Sequence, residues 1–283
     1  MTVTSPKTAE LLQLAQKLPA SPHILLKLST LIDNLNCSLE DIAVLLRRDA
    51  TLAARIIRIS NSAIYGSEAS IASVEEAVGR VGFSEVYRLT GLAAAAQLAS
   101  EHLPFYGHNG LQLRDNTLIT ALAVEVLARH ARMESRAAYA TALLRSMGKL
   151  VLDRFVKIHL TPMQHFNRSG VPTLLTWEEK MLGCNNPNVA ALVLESWHFP
   201  ASITEPIKQH YLIEPPTGEH TRVTLLLNLA SGIACDLGFP LPGEANYWEL
   251  TDEKIAAAGL TGIDFDAVGD EALTAFDAMR DSL

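Results

Sequence analysis

The amino-acid sequence predicts an all-α protein. Apolar residues recur at spacings of three and four rather than two, helix-start signals are frequent, and no stretch shows the alternation of a half-buried strand. At 283 residues and 48% hydrophobic content the chain can bury a sizeable core, as one large domain or as two lobes.

Four places carry the spacing of a capping box: Ser38 before Asp41, Ser73 before Glu76, Thr176 before Glu179 and Ser202 before Glu205. A hydroxyl three residues ahead of a carboxylate satisfies the free N–H groups of a first helical turn, so each pair predicts a helix start. Apolar faces run between them, with Ile42, Leu45 and Leu46, then Leu52, Ile56 and Ile59, then Leu118, Leu122 and Val126. Gly82, just before Ser84, predicts one helix closing and another opening. Asn186-Pro187 has the pattern of an N-cap followed by proline at the first helical position. Ser146 is expected inside a helix, Lys149 at a helix end or in solvent, Trp177 and Trp197 in the core, and His198 and His210 on separate helices.

Periodicity lapses around Glu101 to Gly110 and again at Glu214 to Gly218, and we place joints at both. They mark off an N-terminal helical lobe, a second helical lobe and a helical extension with an acidic tail. Net charge is −8, and from Glu244 to Leu283 ten carboxylates face only Lys254 and Arg280, so the tail alone accounts for the imbalance. A neutral body gives no strong attraction to nucleic acid or anionic lipid. The local exception is Arg47, Arg48, Arg55 and Arg58, which reads as a solvated face pairing with nearby carboxylates, with a phosphate or partner contact as the other reading.

No run of eighteen apolar residues exists and the first seven residues lack the blocks of a secretory signal, so the expected location is a bacterial-type cytoplasm without membrane association. Cys37, Cys184 and Cys235 are far apart and read as ordinary thiols. No Gly-rich phosphate loop, serine elbow or Cys-His nucleophile signal appears, and Gly148-Lys149 is too short to be a phosphate loop.

Three stretches carry a family resemblance. Leu18-Pro19-Ala20-Ser21-Pro22 precedes a helix; Arg48-Asp49-Ala50-Thr51-Leu52 leads to Ile59-Ser60-Asn61-Ser62-Ala63; and residues Ile71 to Gly82 follow. Together they resemble the HDOD domain, the HD-related output domain of bacterial signalling proteins. The likeness continues through Gly148-Lys149 to Trp197-His198-Phe199-Pro200 and Ile207-Lys208-Gln209-His210. It therefore covers residues 18–212, with 18–108 as an N-terminal helical lobe, 109–212 as an HD-like lobe, and 213–283 as a C-terminal helical extension with the acidic tail.

The resemblance implies an HD-domain-like helical fold related to metal-dependent phosphohydrolases, usually without their metal site. In the HD superfamily the stretch Leu143-Leu144-Arg145-Ser146-Met147-Gly148-Lys149-Leu150 would read apolar-apolar-His-Asp-apolar-Gly-Lys-apolar, so the metal-binding pair falls on Arg145 and Ser146. The first ligand position falls on Asn116, or on Asp115 if the alignment slips by one. A further histidine falls on Asn186, and the closing pair on His210 and Tyr211. Only His210 keeps a ligand chemistry, and a guanidinium has no lone pair to offer. A catalytic metal needs about three protein ligands and an open position for water. The resemblance thus implies no catalytic residues, no metal and no cofactor.

If the lobe keeps its shape, Asn116, Arg145, Ser146, Lys149, Asn186 and His210 are expected to line a vestigial pocket, now positive and suited to an anionic nucleotide. The function expected is a non-catalytic signal-transduction output or regulatory module acting through contacts with signalling proteins. The alternative is a phosphohydrolase or cyclic-dinucleotide phosphodiesterase or binder with a rearranged metal site. A nucleic-acid-binding regulator is a third class, disfavoured by the neutral body.

Overall fold

A computed structural model describes residues 5–18, 21–61, 65, 70–159, 166 and 173–280. The expected all-α class holds, with one two-residue hairpin added: β1 (His102–Leu103) pairs antiparallel with β2 (His108–Asn109) across a 3₁₀ turn at Pro104–Tyr106. That hairpin lies where periodicity lapsed, and two pairs of residues are too few to leave an alternating pattern. None of the described helices is long and apolar enough to cross a membrane.

The chain forms two compact units, one of residues 19–98 with 274–283 and the other of residues 1–18 with 99–273. The first holds α2 (Ser21–Ile32), α3 (Leu39–Leu46), α4 (Ala50–Ser60), α5 (Val74–Val81) and α6 (Phe83–Ala96). Its starts follow the sequence closely. Ser38 and Asp41 form the full capping box of α3, with Ser38 N donating to Asp41 at 2.9 Å and Asp41 N to Ser38 Oγ at 3.2 Å. Ser73 caps α5, although Glu76 reaches back to the Ala72 N–H rather than to that of Ser73.

The family-bearing residues have physical jobs in this unit. Asp49 caps α4 by accepting from Leu52 N at 3.0 Å. Asn61, at the end of α4, accepts from Ile71 N at 2.7 Å and donates to the Ile71 carbonyl at 2.8 Å, fixing the approach to α5. Gly82 closes α5 and opens α6 with φ +82°, a conformation that favours glycine. Arg47 pairs with Glu40 and Glu75, as a solvated basic face requires. Leu18-Pro19 and Ser62-Ala63 lie wholly or partly outside the described residues.

The second unit contains α1 (Thr8–Ala15), α7 (Gly110–His130), α8 (Ser135–Leu144), α9 (Met147–His159), α10 (Leu174–Leu182), α11 (Asn186–Ser196), α12 (Ala201–Gln209), α13 (Thr221–Asp236), α14 (Asp252–Ala258) and α15 (Phe265–Arg280), whose last turns from Thr274 group with the first unit. Helix α7 pairs with α8 and α13, and α9 with α11. Glu214–Gly218 is an irregular link between α12 and α13, and by compact packing residues 213–273 group with the unit that carries the altered motif. Buried Leu225, Leu226, Leu229 and Ala230 of α13 explain why, since that face is core rather than extension.

Two helix starts differ from the expected ones. Thr176 is inside α10, which Thr173 caps by accepting from Thr176 N at 3.3 Å. Ser202 is inside α12, which follows Pro200 without a side-chain cap. Trp177 is buried as expected, but Trp197 is only half-buried at the end of α11. His198 is exposed with φ +64° in the link to α12, not on a helix.

Candidate functional site

Arg145 ends α8 and Lys149 stands in the first turn of α9, so the turn at residues 145–146 brings two cations close together. Both are only 1% exposed. A buried cation without a counter-charge is expensive, and Glu244 supplies one from the segment between α13 and α14. Its Oε2 accepts from Arg145 Nη1 at 3.0 Å. Its Oε1 accepts from Lys149 Nζ and, at 2.7 Å, from the Tyr211 hydroxyl. Arg145 also donates from Nη2 to Asn116 Oδ1 at 2.5 Å, and Asn116 Nδ2 donates to the Phe239 carbonyl at 2.7 Å.

Aromatic rings close the network. The Arg145 guanidinium carbon lies 5.7 Å from the centroid of Trp248, and Lys149 Nζ lies 5.5 Å from that of Tyr106. Trp248 stacks on His210 and Tyr211. The carboxyl of Glu244 is pulled two ways: burial raises its pKa, but Arg145 and then Lys149 outweigh burial and hold it well below the usual carboxylate range. Burial draws the Lys149 ammonium below its usual value, against the pull of Glu244.

A second layer backs the first. Glu178 of α10, fully buried, accepts from the Tyr106 hydroxyl at 2.6 Å, from Asn186 N at 2.8 Å and from Asn186 Nδ2 at 3.0 Å. The Tyr211 hydroxyl lies 3.5 Å from Asn186 Oδ1, joining the two layers. Gly148 belongs to the same construction. A Cβ placed there would sit 1.9 Å from the Asn186 carbonyl oxygen, so α9 and α11 touch backbone to backbone at this point.

Several sequence expectations need correcting here. Asn186 is not the N-cap of α11: Asn185 is, accepting from Asn188 N at 3.1 Å, while Asn186 turns inward to Glu178, whose buried carboxylate needs its donors. Lys149 neither caps a helix end nor faces solvent, because Glu244 holds it inside. Ser146 lies in the turn between α8 and α9 rather than within a helix, and its hydroxyl makes no hydrogen bond among the described residues. Of the two candidates for the first altered position, Asn116 joins the network, whereas Asp115 is partly exposed and pairs with Arg114 at 2.6 Å. Asn116, Arg145, Ser146, Lys149, Asn186 and His210 do converge on one region, but as packed interior. Each is 3% exposed or less, so they line no open positive cavity, and Glu244 offsets their charge.

The residues present do not fit a divalent metal. His210 offers an imidazole whose Nδ1 is 2.6 Å from the Ile207 carbonyl, but the Glu244 carboxylate is held by Arg145 and Lys149, and Glu178 is taken up by its Tyr106 and Asn186 donors. Among the described residues no three His, Cys, Asp or Glu side chains gather as a metal would need. Sequence reasoning missed Glu244, Glu178, Tyr106 and Trp248. The signal available for Glu244 was the need of two adjacent buried cations for a counter-charge, which names a residue type but no position.

The buried titratable groups give opposed pH responses. Burial, then Arg145, pushes His210 down to about 3 from its usual 6.5, and burial likewise pushes His108 to about 4. Stability from a depressed histidine is present above 6.5 and lost as pH falls through the folded value. Burial pushes Glu178 up to about 7 from 4.5, against its Tyr106 and Asn186 donors, so its contribution is full below 4.5 and lost as pH rises through about 7. In thermal melts between neutral pH and the low end of this window, Glu178→Gln is expected to lose stability on acidification more steeply than the parent, and His210→Asn less steeply. Equal slopes for all three proteins would count against this assignment.

The HDOD domain family model matches residues 18–213. An uncharacterized protein of Treponema pallidum (strain Nichols) is 24% identical over 215 residues, which is 74% of this chain but only 40% of that protein. The chain thus spans less than half the length of this relative. Among solved structures, a candidate phosphohydrolase of Shewanella amazonensis SB2B superposes with a TM-score of 0.66 at 20% identity, over 97% of each chain. An HDOD domain protein of unknown function from Geobacter sulfurreducens gives 0.66 at 19%, over 97% of this chain and 96% of that one. A candidate signal transduction protein of Marinobacter aquaeolei VT8 gives 0.62 at 22%, over 93% of this chain and 58% of that one. These likenesses establish the HD-domain-like fold.

Proposed function

The chain belongs to the HDOD domain family, and from that premise we propose that it is a non-catalytic signal-transduction output module that acts through contacts with other proteins. The observation that carries the reading is the buried Arg145–Glu244–Lys149 network, in which Arg145, at the position the resemblance gives to a ligand histidine, is a fixed cation that holds Glu244 beside the motif's own Lys149. Water activation by a metal needs an open coordination position, and packed side chains with 1% exposure leave none. With hydrolysis removed, what such a fold offers is shape and surface. The likeness to a signal transduction protein of Marinobacter aquaeolei agrees with a signalling role. A cytoplasmic setting goes with that role.

The test is metal content and turnover together. Protein purified without chelator is expected to hold manganese, iron, zinc and magnesium far below one equivalent, and to leave cyclic dinucleotides and phosphomonoesters intact. A stoichiometric metal, or hydrolysis that disappears in Arg145→Ala, would establish the phosphohydrolase instead. Partner capture should use the full chain, because ending it near Leu237 removes Glu244 and Trp248 from the core.

A further inference from the structure

We infer that Arg145, Lys149, Asn116 and Tyr211 constitute a carboxylate receptor whose resident ligand is the Glu244 side chain, so that a small free carboxylate takes its place when that side chain is removed. The inference rests on the reading of this region as one without a catalytic metal. The contacts are those of a bound anion rather than of a surface pair. Arg145 Nη1 donates to one oxygen at 3.0 Å, while Lys149 Nζ and the Tyr211 hydroxyl, the latter at 2.7 Å, donate to the other. Each donor is held by something besides the carboxylate: Arg145 by Asn116 and the Trp248 face, Lys149 by the Tyr106 face, Tyr211 by stacking on Trp248. The receptor is therefore preorganised, which is what makes an anion site bind strongly in a dry interior.

A second observation points the same way. Arg145 Nε and Ser146 Oγ are buried and make no hydrogen bond among the described residues. The spare Nε belongs to the guanidinium that meets Glu244, and a buried donor left unmet normally signals an oxygen that belongs nearby. The anion arrives on an irregular segment. Between α13 and α14 the chain carries Glu244 inward, with Phe239 accepting from Asn116 on one side and Tyr247 and Trp248 packed on the other. Removing the carboxymethyl part of Glu244 leaves a space of acetate size, lined by unneutralised cations.

The experiment is chemical rescue of the full-length Glu244→Ala protein. In acetate, against chloride at equal ionic strength, its melting temperature is expected to rise by roughly 5 °C at ~200 mM ligand. The parent, Glu244→Gln, which keeps the space filled, and the double variant Glu244→Ala with Arg145→Met are expected not to respond. If Glu244→Ala does not fold in chloride, its refolding yield in acetate is the readout. No acetate-specific gain, or an equal gain in the parent, overturns the inference and leaves the non-catalytic reading standing. Rescue by manganese chloride instead of acetate overturns both.

Discussion

Glu244→Ala is expected to destabilise the protein by about 3–5 kcal/mol, the range for removing one member of a buried ion network and stranding its partners. Two cations, each 1% exposed, would then lose the carboxylate that both contact. The energy lost is mainly the cost of that stranding and is not a measure of what the network contributes. The triple variant Arg145→Met, Lys149→Met, Glu244→Leu separates the two quantities. With those three charges gone, it is expected to match the parent or exceed it. Equilibrium unfolding in urea measures both, and the coupling between single and triple variants should be large, since all three side chains share one carboxylate. Equal destabilisation of single and triple variants would show that shape rather than charge holds this region together.

Gly148→Ala carries the other large expectation, a loss of about 3 kcal/mol or more from overpacking. The added Cβ would stand 1.9 Å from the Asn186 carbonyl oxygen, 2.8 Å from its carbon and 2.9 Å from Ala190 N, all backbone atoms that cannot swing aside. Helices α9 and α11 must separate, which also moves Asn186 away from Glu178. Gly79→Ala is the control. It lies on the exposed side of α5 with nothing within 4 Å of the added carbon, and is expected to gain about 0.5–1 kcal/mol from helix propensity. A Gly148→Ala protein as stable as the parent would mean that the two helices do not touch as described.

Much of the fold was legible because helix starts are local chemistry. Ser38 and Ser73 cap where their sequence neighbourhood says they should, since the partner is an N–H three residues on. The same logic slipped at Thr176 because Thr173 offers an equivalent hydroxyl one turn earlier, and at Ser202 because Pro200 already sets the entry of α12. At Asn185-Asn186 two adjacent asparagines fit the cap equally well, and only the buried Glu178, eight residues back, decides between them.

The site was half legible. The family resemblance implies that Asn116, Arg145, Ser146 and Asn186 stand at ligand positions, and their residue types offer a divalent metal little. What replaced them is not, because Glu244 lies 99 residues from Arg145 and sits at the head of an acidic run that reads as solvated. Charge counting gives sign and amount, whereas a buried pair depends on which single carboxylate the fold turns inward. Trp248 and Tyr106 were hidden for the same reason, as both reach the network through tertiary packing.

Whether Arg145 and its Glu244 counter-ion stand where the family resemblance places metal ligands is decided by anomalous diffraction at the manganese edge from crystals soaked in manganese. No anomalous peak is expected within coordination distance of Glu244, Asn116 and His210, and electron density should join Arg145 and Lys149 to the Glu244 carboxylate. An ordered ion held there by Glu244 and His210, with Arg145 turned away, would contradict that placement.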